Sequence, residues 1–102
     1  AELLGTKLRA LYQRRKGRDL YDLHKALSSI EIDANQILEC YRAYMKFSVS
    51  QPPSRKQYLL NMEEKILDDE FLGDTKALLR PDEKYDPNAA WEMVRKVLIE
   101  NI

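Results

Sequence analysis

At 102 residues, with 44% hydrophobic and 33% charged residues, the chain is sized for one modest core and one domain spanning residues 1–102. Lys plus Arg and Asp plus Glu both number 17, so bulk charge selects no nucleic-acid, membrane or acidic partner, and any such role must rest on local clustering. The single cysteine, Cys40, excludes an internal disulfide and a metal site of several thiolates and suits a reducing, cytoplasmic setting; no apolar run approaches the ~20 residues of a membrane span.

The opening "AELLGTKLRAL" lacks the apolar region of a signal peptide. It begins inside a helical pattern without a cap, as expected of a piece of a longer chain. Leu4, Leu8 and Leu11 recur at helical spacing and predict a first helix over about residues 2–16, with Gly17 as its C-terminal glycine. Asp19 is placed to cap a second helix, whose apolar face is Leu20, Leu23 and Leu27 and which ends at Ser28-Ser29. "DANQ", from Asp33, is a capping-box pattern for a third helix lined by Ile37, Tyr41 and Tyr44, with Leu38 and Met45 beside them.

Pro52-Pro53 breaks the chain. "SRKQ" from Ser54 is a second capping box and opens a fourth helix with the stripe Tyr58, Met62, Ile66. "DDEFLGDTKALL" is expected to break near Gly73, continue as a short helical turn and stop at Pro81. A final helix starts with Asp86 as cap and Pro87 in its first turn, and turns Trp91, Val94 and Leu98 inward. No strand pattern, repeat or low-complexity tract interrupts this series, so the predicted fold is an all-α bundle of five to six short helices.

The distinctive stretch is "TKLRALYQRRKGRDLYDL", Thr6 to Leu23. It places Lys7, Arg9, Arg14, Arg15, Lys16 and Arg18 ahead of an acidic pair, Asp19 and Asp22. On a helix, positions 7, 10 and 14 lie near one line, so Lys7 and Arg14 flank the small Ala10 two turns apart. A hollow walled by two cations suits a phosphate: arginine binds oxygens in pairs and lysine acts as a point charge. Arg15 and Lys16 fall elsewhere around the helix and are expected to be solvated. Asp19 and Asp22, three apart, share a face, and a tight turn at Gly17 would return them to Lys7 and Arg14. An ionised aspartate there could accept a proton from an attacking hydroxyl or help hold Mg²⁺.

Plainer readings stand beside these. Asp19 serves equally as an N-cap, with Asp22 stabilising the first turn through the helix dipole, and on spacing alone the favoured reading of Lys7 and Arg14 is as ordinary members of a charged face. The sole histidine, His24, reads as a boundary residue, and Cys40 as a small buried apolar one. The tyrosines and Trp91 read as core.

"KLRALYQR" fits Lys-x-x-Ala-x-x-x-Arg from Lys7 to Arg14, and "RDLYDL" fits Asp-x-x-Asp from Asp19 to Asp22. In this order, after an opening "EL", they resemble the third and fourth motifs of AbiEii/AbiGii-type nucleotidyltransferases, the toxin components of bacterial abortive-infection, type IV toxin–antitoxin systems. "FLGDTKALL", a spacer and a terminal "AAWEMVRKVL" are similar to that family's helical C-terminal region.

The resemblance implies transfer of a nucleotide from a nucleoside triphosphate to an acceptor, which is tRNA for some members. Carried over, Lys7 would contact the triphosphate, Arg14 would support phosphate or the acidic pair, and Asp19 and Asp22 would be active-site carboxylates. Mg²⁺ and a nucleoside triphosphate are then the expected cofactors of the full-length protein, with none expected in this chain alone, and an antitoxin is an expected partner.

The family's N-terminal α/β half carries a Gly-Ser phosphate turn and strand-borne metal carboxylates. This sequence has no Gly-Ser dipeptide, only three glycines and no Asp-x-Asp. It therefore reads as the C-terminal helical half, inactive by itself, with the missing N-terminal half as its partner and self-association expected of the bared apolar surface. The competing expectation is a free-standing helical binding module for RNA or an acidic protein.

Overall fold

The helical periodicities become six α-helices, with no strand among the described residues. The computed structural model describes residues 2–29, 33–48, 53–75, 79 and 82–102. The helices are α1 (Glu2–Gln13), α2 (Gly17–Ser29), α3 (Ala34–Ser48), α4 (Arg55–Ile66), α5 (Asp69–Gly73) and α6 (Pro87–Val97), followed by a short 3-10 turn at Ile99–Asn101. Pro52 and Pro81, expected as chain breaks, lie outside the described residues.

The caps explain where several helices begin. Asp33 Oδ1 accepts from the Asn35 N–H at 2.9 Å and starts α3. At α4 both halves of the capping box form: Gln57 N–H donates to Ser54 Oγ at 3.2 Å, and Ser54 N–H donates to the Gln57 side chain at 2.8 Å. Asp86 caps α6 through the Asn88 N–H, with Pro87 in the first turn. Asp68 caps α5 through Glu70 N–H at 2.9 Å. α4 therefore gives way to α5 at Leu67–Asp68, and α5 ends at Gly73, where the break is expected; the short helical turn expected after Gly73 falls largely outside the described residues.

The core gathers Leu8 and Leu11 of α1, Leu20 and Leu23 of α2, and Ile37, Tyr41 and Met45 of α3. Leu38 of α3, Tyr58 and Met62 of α4, Phe71 of α5, and Ala90, Trp91, Val94, Leu98 and Ile99 complete it. α1 and α2 form an antiparallel hairpin. α3 runs beside α1 in the same sense, as the pairs Gly5–Cys40, Arg9–Tyr44 and Gln13–Met45 show. That closeness needs Gly5, because a Cβ there would lie 2.6 Å from Cys40 Cβ and 2.8 Å from Tyr41 N. Tyr44 is only half-buried, with the Arg9 guanidinium 5.8 Å from its ring centre. Leu3, Phe47, Leu60 and Leu67 are exposed. No helix among the described residues is long and apolar enough to cross a membrane.

Candidate functional site

The turn from α1 into α2 differs from the sequence expectation in three linked ways. α1 stops at Gln13, not near residue 16. Gly17 does not close α1 but opens α2, and no described glycine has a positive φ. Asp19 is not a cap but the third residue of α2, with its N–H bonded to Lys16 O at 3.0 Å.

The cause lies in what meets this turn from the other helices. Lys65 of α4, buried at 3% exposure, donates through Nζ to Leu11 O and, at 2.8 Å, to Tyr12 O. Asn61 adds a bond to Tyr12 O at 3.3 Å, and the Tyr58 hydroxyl donates to Leu8 O at 2.6 Å. Two of the carbonyls that the end of α1 leaves unpaired, Leu11 O and Tyr12 O, are thus taken by α4, which favours stopping α1 here. On the other side, Phe71 O sits where a Cβ of residue 17 would be, 2.2 Å away. Only glycine lets α5 come this close to the start of α2.

This frame brings the four motif residues together. Arg14 grips Asp19 with two parallel bonds, Nε to Oδ2 and Nη2 to Oδ1, each 2.8 Å. Lys7 Nζ lies 3.0 Å from Asp22 Oδ2 and 3.6 Å from Asp19 Oδ1. Exposure divides them. The Asp19 side chain is fully buried, Lys7 is 24% exposed, Asp22 41% and Arg14 50%. The bonds from Asp19, and then its charge, raise the Arg14 pKa further, so this guanidinium is charged at every working pH.

The neighbouring cations are not simply solvated. Arg15 pairs with Asp68 at 2.9 Å and Glu64 at 3.6 Å, and the Arg15 bond holds the Asp68 carboxyl below its usual range. Asp74 accepts from the Arg18 N–H at 3.1 Å and from its Nε at 3.4 Å. Four of the six clustered cations, Lys7, Arg14, Arg15 and Arg18, therefore face carboxylates from α2, α4 and the two ends of α5.

His24 is half-buried, its ring 5.9 Å from that of Tyr85. Tyr85 also edges a depression of about 310 Å³ lined by Leu72, Thr75 and Asn88 among others, none of them a motif residue. Cys40 is half-buried against Gly5.

Lys65 escaped the sequence reading, and its signal was there. It stands three residues after Met62 and seven after Tyr58, a cation at a core position of the α4 stripe. Burial and then the nearby Arg15 charge lower its pKa to about 8. Burial likewise pushes the Tyr58 hydroxyl well up, so it stays a donor to Leu8 O.

The donor set does not make a Mg²⁺ site. Both Asp19 oxygens are taken by cations, Asp22 alone presents a partly free carboxylate, and among the described residues no three potential ligands cluster. No step below is routed through a metal.

Residues 1–97 match the family model described as "Nucleotidyl transferase AbiEii toxin, Type IV TA system". No curated protein and no solved structure matches the chain.

Proposed function

Since the chain belongs to the AbiEii nucleotidyltransferase toxin family, with 97 of its 102 residues covered, we propose that its α1–α2 hairpin supplies the cation-and-carboxylate side of a nucleotidyl-transfer site. The observation that carries this reading is the convergence of Lys7, Arg14, Asp19 and Asp22 in one ion-pair network at the edge of the bundle. Lys7 and the outer edge of Arg14 hold phosphate oxygens of the nucleoside triphosphate. Asp22, the only one of the two carboxylates in contact with solvent, accepts the proton of the attacking hydroxyl as its oxygen bonds the α-phosphorus and pyrophosphate leaves. Asp19 orients Arg14 and Lys7.

The Gly-Ser phosphate turn and the metal-holding carboxylates, which this sequence lacks, belong to a part of the full-length protein outside these residues. Mg²⁺ is held there when bound and supplies charge neutralisation on the phosphates. A tRNA acceptor and a cognate antitoxin complete the proposal. The alternative of a basic RNA-binding helix gains nothing from the geometry, because most of the clustered cations are already paired.

The test is transfer of a radiolabelled nucleotide to tRNA by the full-length gene product. Lys7→Ala and Asp22→Ala should each abolish transfer while the far-ultraviolet circular dichroism stays that of the parent. Parental transfer rates in both variants would overturn the reading.

A further inference from the structure

Asp19 and Asp22 are three residues apart on one helix and contact the same lysine, yet what each has left to offer is opposite. Asp19 has no exposed surface, and both its oxygens are engaged by the Arg14 fork. It cannot turn away without leaving a buried charge unpaired. Among the described residues Asp22 pairs with Lys7, at 3.0 Å, and its side chain is 41% exposed, so rotation into water costs it little.

The donors show the same split. Arg14 has five N–H groups, of which Asp19 takes one on Nε and one on Nη2. Nη1 and the second Nη2 hydrogen, on its half-exposed edge, are not engaged by any described residue. Lys7 has three donors, and the best placed is spent on Asp22.

Charge decides which state takes an anion. Lys7, Arg14, Asp19 and Asp22 together sum to zero. With Asp22 turned out, the remaining three leave one net positive charge facing two cations' free hydrogens.

We infer that the two carboxylates act in opposite senses on anion binding. Asp19 builds the anion seat by holding Arg14 and Lys7 in place, whereas Asp22 fills that seat as an internal stand-in for a phosphate oxygen, which a triphosphate displaces on entry. This rests on the proposed role of Lys7 and Arg14 as phosphate contacts. It adds that the empty site is closed by its own carboxylate, and that arrival of the triphosphate releases Asp22 next to the bound phosphate. Asp19 is thus a positioning residue that acts through Arg14, and an anion should be seen more tightly by a protein lacking the Asp22 charge.

The experiment is calorimetric titration of the chain with inorganic triphosphate, metal-free and at low ionic strength, for the parent, Asp22→Asn, Asp19→Asn and Lys7→Ala. Circular dichroism melts follow the fold. Asp22→Asn should bind about fivefold more tightly than the parent, the size expected for removing one partly screened like charge, and the gain should shrink as salt is added. Lys7→Ala and Asp19→Asn should bind about tenfold more weakly. Should Asp19→Asn melt below the assay temperature, Arg14→Lys replaces it, since it keeps the charge and loses the fork, and it too should bind more weakly.

Equal or weaker binding by Asp22→Asn, with Lys7→Ala still impaired, overturns the inference and leaves the phosphate reading standing. So does parental affinity in Asp19→Asn or its substitute. Parental affinity in Lys7→Ala, or no binding by any variant, overturns the phosphate reading itself and the inference with it.

Discussion

Gly17→Ala separates three accounts of one residue by sign and size. As an ordinary first residue of α2, the glycine should gain up to about 1 kcal/mol on becoming alanine, through helix propensity. As a left-handed residue closing α1, it should lose about 1 kcal/mol and accept asparagine. The structure supports neither. An alanine Cβ would lie 2.2 Å from Phe71 O, with Phe71 C and Asp74 Cβ at 3.3 Å. Carbon–oxygen contacts settle near ~3.3 Å, so α5 must retreat by about 1 Å.

Phe71 is a buried core anchor, and Asp74 accepts from the Arg18 N–H, so the retreat loosens both. Overpacking costs about 1–3 kcal/mol and the weakened bond about 1 kcal/mol. Set against the propensity gain, the net loss is about 2 kcal/mol. Urea unfolding followed by circular dichroism measures it, with the slope unchanged and the midpoint lower. Gly17→Asn should be worse than Gly17→Ala, because its larger side chain meets the same carbonyl. An alanine variant as stable as the parent, or an asparagine variant better than the alanine one, would refute the packing account.

Two further outcomes follow from buried contacts. Lys65 has a folded pKa of about 8 against an ordinary 10.5, so between these values the unfolded chain binds more protons and its contribution to stability rises with pH, by about 3 kcal/mol in all. Below pH 8 both states are protonated and the penalty is constant. Above about pH 10 the tyrosines act the other way, because burial raises Tyr41 to about 12 and raises Tyr58 and Tyr85 too. Urea midpoints from pH 7.5 to 10 should therefore climb in the parent and stay flatter in Lys65→Met; equal slopes would contradict the burial argument. Gly5→Ala should cost about 2 kcal/mol in thermal or urea unfolding by driving α1 off α3. Cys40→Ala should not rescue it, since the close atoms are Cys40 Cβ and Tyr41 N, and rescue would show that the sulfur was the obstacle.

Much of this architecture is legible in local pattern. The leucines of α1 and α2, the Ser54 capping box and the Asp86-Pro87 start of α6 depend on neighbours within one or two turns, and a sequence displays those directly. The meeting of Lys7 with Asp19 and Asp22 is also legible, since a hairpin with a short turn must fold that acidic face back on α1.

The turn itself is not legible in the sequence because its determinants are distant. Lys65 is more than fifty residues from the carbonyls it caps, and Phe71 a similar distance from Gly17. A glycine two residues before an aspartate has the same local appearance whether it ends one helix or lets another pack on the next. Likewise, Arg15 read as solvated because Asp68 is invisible to any local window.

The opening cluster of positive charge is therefore largely a folding device, and its pairs differ in how hard they are to open. The Arg14–Asp19 pair is the hardest to open, because removing Arg14 strips the fully buried Asp19 carboxylate of its two-pronged partner. Arg15–Asp68 and Arg18–Asp74 tie the turn to α5, with carboxylates that are mostly covered. Lys7–Asp22 joins two partly exposed side chains within one hairpin, and opening it costs about 0–1 kcal/mol. A multiply charged anion arriving at this edge can repay that small cost through Lys7 and the free edge of Arg14, while the other pairs keep the frame rigid. The chain's overall neutrality is compatible with the proposed anion seat for this reason: Asp22, the motif carboxylate that would balance the seat, is also the one that can leave it.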